Sequence, residues 1–208
     1  QSRNGALNRK LLFALLLVGL SLLPIVSAGC AITPDGNGHV EIPNTWTSIG
    51  DYAFSLCSSL TSVSFEPGSQ LTSIGYRAFR ESGLIGSITL PASVTNLGTG
   101  GGGVFRLCST LTSVNFESGS QLDIIWSNCF ESTGLSSITL PESLTEIRAS
   151  TFRDCSNLTS VSFESGSQLT LIGISAFRES GLTSITIPST VTTIGNGAFQ
   201  DCTALTSV

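Results

Sequence analysis

Apolar and polar positions alternate in one phrase that returns along almost the whole chain. Leu158-Thr159-Ser160-Val161-Ser162-Phe163 is one copy. Leu60 to Phe65, Leu111 to Phe116, Leu135 to Leu140 and Leu182 to Ile187 are others, and Leu205 to Val208 begins one more. Each reads apolar, two small polar, apolar, small polar, apolar. The last part has the period-two alternation of a strand with one buried face. So short a strand cannot bury that face alone and must stack on its own copies. The pattern predicts a β-rich repeat solenoid.

A marker phenylalanine counts the turns. It stands at Phe54, Phe79, Phe105, Phe130, Phe152, Phe177 and Phe199, with spacings of 25, 26, 25, 22, 25 and 22 residues. Seven rungs at ordinary strand spacing stack to roughly 30–35 Å. Two unit types alternate. One begins with Pro43, Pro91, Pro141 or Pro188; the other begins with Gly-Ser-Gln-Leu at 68–71, 119–122 and 166–169. Core columns are expected at Ile49, Ile74, Leu97, Ile125, Ile147, Ile172 and Ile194. A second holds Leu60, Leu111, Leu135, Leu158, Leu182 and Leu205, with Leu84 or Ile85 as the second repeat's member. The longest spacing comes from Leu84-Ile85-Gly86-Ser87 and from Gly98 to Gly103. Whole-residue insertions at turns leave stacked strands in register. The glycine run is followed by Val104-Phe105, not by Lys-Ser/Thr, so it is no phosphate loop and is expected to be a floppy insertion between rungs.

Before the repeats, Arg3, Arg9 and Lys10 precede an apolar run from Leu11 to Leu23, then Pro24 and Val26-Ser27-Ala28. A basic region, an apolar stretch and small residues make residues 1–28 a secretory signal peptide cleaved after Ala28. The alternatives are an uncleaved signal anchor and a lipoprotein signal ending at Cys30. All three place the repeats outside the cytosol, or tethered facing away from it. Residues 29–41 form an N-terminal capping segment. Asp35-Gly36 and Asn37-Gly38 predict a short hairpin there that shields the first rung. Residues 42–208 are the repeats. The chain contains no Met and breaks off inside a repeat, as expected of a fragment with a truncated C-terminus.

The phrase Ile-Pro-x-x-Val-Thr-x-Ile-Gly-x-x-Ala-Phe-x-x-Cys-x-x-Leu-Thr-Ser-Val resembles the BspA-like class of leucine-rich repeat. Pro188 to Val208 carries it almost letter for letter, and Pro43 to Phe65 and Pro141 to Phe163 carry it with small departures. The resemblance covers about residues 40–208. It implies a curved, right-handed superhelix whose strand is Leu-x-x-Val-x-Phe. It also implies a protein secreted or anchored at the surface of bacteria or some protists, often an adhesin for host matrix proteins or other cells. It brings no catalytic residues. Trp46, Arg148 and the Gly100–Gly103 insertion depart from the pattern and bear on local geometry.

Charge narrows the partners. Without residues 1–28, six Arg face 14 acidic residues. A net charge of about -8 argues against nucleic acid and against anionic membrane surfaces. Cys57, Cys108, Cys155 and Cys202 share one column in alternate repeats. Two rungs separate them by about 9–10 Å, beyond the roughly 4.4–6.8 Å between Cα atoms that a disulfide spans. They are expected to be free, buried thiols, as is Cys129; Cys30 is expected to be free or lipid-modified. No Cys or His cluster has metal-ligand spacing, so neither a metal nor a cofactor is expected. His39 is the sole His, leaving little from which to build a catalytic constellation.

Two surfaces remain. The outward strand positions, Ser62/Ser64 through Ser184/Thr186, are uniformly small, uncharged and polar, and read as a wetted face with a hydroxyl array that orders water or ice as a minor alternative. Next to the marker Phe, Arg80, Arg106, Arg153 and Arg178 recur with Glu81, Asp154, Glu179 and Asp201 beside them. Stacking aligns them into a mixed stripe, a solvated ladder of weak ion pairs or a protein-binding edge. Asn157-Leu158-Thr159 is the sole N-glycosylation sequon. The expected function is non-enzymatic binding to extracellular or cell-surface proteins, with adhesion foremost. The alternatives are a structural spacer without its own ligand, or the repeat region of a larger protein whose activity lies further along the chain.

Overall fold

The computed structural model describes residues 29–208; the expected signal peptide, 1–28, lies outside them. Fourteen short strands, numbered in chain order, alternate between two sides of a parallel solenoid, and no helix is present among the described residues. The recurring phrase supplies β1 (His39–Ile42), β3 (Ser62–Phe65), β5 (Gly86–Leu90), β7 (Leu111–Phe116), β9 (Ser137–Leu140), β11 (Ser160–Phe163) and β13 (Ser184–Ile185). The isoleucine column supplies β2 (Ser48–Ile49), β4 (Ser73–Gly75), β6 (Asn96–Thr99), β8 (Ile124–Ile125), β10 (Glu146–Ile147), β12 (Leu171–Ile172) and β14 (Thr193–Ile194). These even-numbered strands form one continuous seven-stranded parallel sheet.

The odd-numbered side is divided instead into β1-β3, β5-β7 and β9-β11-β13. The breaks before β5 and β9 follow the unit alternation, whereas β13, which Pro188 follows, still pairs with β11 through Ser184 and Ile185. Glu66, Glu117 and Glu164 each donate a backbone N–H to the strand behind, at Ile42, Leu90 and Leu140. At the next strand the corresponding residue is Pro91 or Pro141, which has no N–H to give. The Pro-led unit is instead held by the unit after it. The carboxylates of Glu66, Glu117 and Glu164 accept the N–H of Asn44 (3.0 Å), Ala92 (3.0 Å) and Glu142 (3.1 Å). The N–H groups of Gln70, Gln121 and Gln168 reach the carbonyls of the same three residues. Two turns are thus stitched into one module.

The core is a set of columns. The seven marker phenylalanines stack face to face, with centroids 5.1–5.6 Å apart and planes within 12°. Leu84 is buried and Ile85 exposed, which settles the second repeat's leucine. The insertions leave the apolar columns aligned, Ile88 on Val114 and Ile74 on Leu97, and appear as bulges at Gly86/Ser87 and Ile74/Gly75. In the last turn the columns meet solvent: Ile194 is 49% exposed, where its counterparts at Ile49 to Ile172 are buried.

Three expectations are corrected. The glycine run is packed, not floppy. The Gly102 N–H bonds the Gly98 carbonyl (2.8 Å), and a side chain at Gly102 would collide with the Ser127 carbonyl. The N-terminal segment makes no second hairpin strand. A turn closed by the Asp35 carboxylate, which accepts the N–H groups of Asn37 and His39, delivers β1 directly into parallel pairing with β3. Those two donors hold the exposed Asp35 carboxyl below the usual carboxylate range.

The third correction is Cys57. It is not a free thiol, and Cys30 is neither free nor lipid-modified, because the two form a disulfide with Cα atoms 5.3 Å apart. The column rule holds between rungs, but Cys57 begins the column. Each later member has a preceding turn to bond: Cys108, Cys155 and Cys202 donate to the carbonyls of Phe79 (3.0 Å), Phe130 (2.9 Å) and Phe177 (2.9 Å). Behind Cys57 lies the capping segment, and Cys30 is in it.

Cys108, Cys129, Cys155 and Cys202 are free and buried. Burial disfavours the thiolate and pushes Cys129 up to about 12 and Cys155 up to about 11. On unfolding these thiols ionise near 9, so their contribution to stability is complete below that pH and is lost as pH rises toward 11–12. The expected result with a thiol reagent at pH 8 is near-zero reaction in the native protein. Four thiols react after denaturation without reductant, and six after reduction.

Candidate binding face

The marker Phe lies in the turn that leads from an even strand to the next odd one. Its neighbours two residues before and two after both adopt the left-handed conformation in every repeat. The residues before are Tyr52, Arg77, Gly103, Asn128, Ser150, Ser175 and Gly197; those after are Leu56, Glu81, Leu107, Ser132, Asp154, Glu179 and Asp201. With left-handed residues at both ends of this turn, every second N–H points along the stack. The N–H of Phe54 meets the carbonyl of Ala78, Leu56 that of Arg80, and the pattern repeats up the molecule. A third ladder, without β-strands, closes this side. Its price is a positive φ at twelve non-glycine residues, each strained by roughly 1–2 kcal/mol when its side chain has a Cβ.

Arg80, Arg106, Arg153 and Arg178 follow the Phe and stand on this face in one column, as the sequence predicted. Every one of them is paired. Arg80 meets Glu81, Arg153 meets Asp154 (3.4 Å), and Arg178 meets Glu179 (3.0 Å) and Asp201 (3.5 Å). Arg106 differs, because the column's next member is the buried Glu131. Its carboxylate accepts Arg106 Nε (2.8 Å) and Nη2 (3.2 Å) together with Asn128 Nδ2 (2.7 Å). The stripe is therefore nearly neutral, and exposed pairs of this kind contribute little to stability.

The sequence reading missed a second feature of the same face. Its first three turns carry Tyr52, Leu56, Tyr76, Arg77 and Leu107, where later turns carry Asn128, Ser132, Ser150, Asp154, Ser175, Glu179 and Asp201 at the left-handed positions and Ser127, Ala149, Ile174 and Asn196 at the position of Tyr76. Tyr52 and Tyr76 meet edge to face at 5.2 Å, and the Arg77 guanidinium lies 4.6 Å over the Tyr76 ring. Gly101 packs on that ring. A signal was available: three of the four Tyr and Trp residues lie two to four positions before a marker Phe. The third, Trp126, is covered by Arg148 at 4.2 Å.

The strand side is polar as expected. Thr139 and Ser162 share a hydrogen bond (2.8 Å), and His39 bonds Ser62 (2.9 Å) and Ser64 (3.0 Å) through its two ring nitrogens. No carboxylate hydrogen-bonds the imidazole among the described residues, so His39 reads as a bridge between β1 and β3. A shallow cavity of about 660 Å³ lies against β11, β13 and the segments that follow them, with Ser160, Ser162, Glu164, Gln168 and Thr186 in its wall. Among the described residues no group of three or more His, Cys, Asp or Glu could hold a metal.

Comparison with known proteins places this geometry. The family model for the BspA type leucine rich repeat region matches six copies, over residues 37–122 and 101–206. No curated protein matches the sequence. Among solved structures, a leucine-rich repeat protein from Bacteroides ovatus is 25% identical with a TM-score of 0.58, covering 80% of this chain and 53% of its own. The pneumococcal vaccine antigen PcpA is 24% identical with a TM-score of 0.64, covering 86% and 53%. The Treponema pallidum leucine-rich repeat protein is 21% identical with a TM-score of 0.51, covering 90% and 74%. The chain thus spans about half the length of the first two relatives. The repeated Phe turn, the paired-unit stitching and the match over most of the described residues lead to one conclusion: this chain belongs to the BspA-type leucine-rich-repeat family.

Proposed function

We propose that the chain is a secreted or cell-surface scaffold that binds other proteins without catalysis, and that adhesion is its use. The Cys30–Cys57 disulfide is the observation that carries the location. Structural disulfides persist in oxidising compartments and are rare in the cytosol. The extended, stitched surface supports the binding role, since a solenoid presents a long continuous face. Solved relatives include a vaccine antigen, in keeping with exposure outside the cell. Arg80, Arg106, Arg153 and Arg178 form the charged edge of the proposed surface. Asn157, exposed in the turn before β11, can take a glycan in a eukaryotic secretory pathway.

The test is binding of residues 29–208 to immobilised matrix glycoproteins and intact cells, beside a variant with Arg80, Arg106, Arg153 and Arg178 changed to Ser. Saturable binding that the variant loses is the expected result. No binding by the folded protein would favour a structural spacer.

A further inference from the structure

We infer that the first three turns of the phenylalanine side form a docking patch for a protein segment that pairs bulky apolar side chains with a carboxylate. The inference deepens the binding reading and rests on it. Three observations carry it. Leu56 is 50% exposed and Leu107 37% exposed, and both have φ near +60°. A leucine gains nothing from a left-handed backbone, and these two leave half and more than a third of their surface in water; the other turns put Ser, Asp or Glu there. The left-handed turn belongs to the fold, but placing a partly exposed leucine where other repeats place Ser, Asp or Glu points to use.

The second observation is Arg77. Among the described residues five arginines have carboxylate partners and Arg77 has none. It is held over Tyr76 in the same turns, ready to receive an acid. The third is composition. Tyr and Arg concentrate at the hot spots of protein contacts, and Tyr gives large contact area with few rotatable bonds. At the two left-handed positions, turns four to seven carry only Asn, Ser, Asp, Glu and Gly, and their one large exposed apolar residue on this face, Ile174, stands apart in turn six, so the cluster of Tyr52, Leu56, Tyr76, Arg77 and Leu107 is confined to the first three turns.

Leu56→Ser, Arg77→Ser and Leu107→Ser combined is the test variant. Ser132, Ser150 and Ser175 already occupy the equivalent left-handed positions, so the fold is expected to keep its thermal midpoint. The probe is a displayed random-peptide library selected on residues 29–208. The expected result is enrichment of sequences combining Asp or Glu with aromatic or aliphatic residues. Their affinity should fall roughly thirtyfold on the variant, the loss typical of a hot spot. Failure to enrich such sequences, equal binding to the variant, or a lowered midpoint showing the leucines to be packing residues would each overturn the inference. Glycan binding lost in the variant, with no peptide selected, would overturn it in favour of a saccharide. A chain that selects the peptides but captures no matrix or cell-surface protein would refute the adhesion reading alone.

Discussion

Changing Cys30 and Cys57 to Ser is expected to lower stability by about 3 kcal/mol. The bond links residues 27 apart in sequence, and closing a loop of that size restricts the unfolded chain by roughly 3–4 kcal/mol in the chain-entropy description. The contribution is local in the folded state. The disulfide, the Ala31–Ala53 backbone bond (2.7 Å), the β1-β3 pairing and the bonds of Thr61 to the Asn37 and Gly38 carbonyls hold the capping segment on the first rung, and the disulfide is the one covalent link. Without the disulfide, Phe54 and Ile49 gain access to water through a loosened cap. Urea denaturation of the double variant, with hydrogen exchange read along the chain, checks this. Exchange should rise first in residues 30–60. An unchanged midpoint would mean that the cap is held without the bond. Reductant should reproduce the effect in the wild type, while Cys155→Ser, far from the cap, should leave exchange in residues 30–60 as it is.

Phe130→Ala is expected to cost about 4 kcal/mol, and Phe199→Ala much less. Phe130 is fully buried and stacks on Phe105 at 5.6 Å and on Phe152 at 5.2 Å. Truncating a buried aromatic costs about 3–5 kcal/mol through lost burial and the cavity left behind, and stacked pairs add about 0.5–1.5 kcal/mol each. Phe199 has one stacking neighbour, Phe177 at 5.4 Å, and is only partly buried. Because each turn touches only its neighbours, the central loss should also divide the molecule. Turns on either side of Phe130 should unfold at different urea concentrations, whereas Phe199→Ala should fray only the last turn. Equal destabilisation by the two substitutions would contradict the stacked spine.

The repeat made the architecture legible without coordinates. A column of similar residues at a nearly fixed period can be buried only by stacking in register, and that determined the solenoid, the leucine and isoleucine core columns and the buried thiols of Cys108, Cys129, Cys155 and Cys202; that the phenylalanines stack face to face and that the isoleucine column forms its own sheet came from the structure. It also aligned Arg80, Arg106, Arg153 and Arg178, since residues at one phase of a repeat must share an edge. Periodicity speaks only about neighbours along the stack. It could not say that Cys57, as the first member of its column, faces the capping segment, because Cys30 lies outside the repeat and its position depends on how Asp35 turns the chain into β1. Nor could it show that Glu131 neutralises Arg106 or that the glycine run packs on Ser127. The patch of Tyr52, Leu56, Tyr76, Arg77 and Leu107 spans several phases of the repeat. Only the turn with a left-handed residue at each end, a backbone state that side-chain pattern does not encode, brings those phases onto one face.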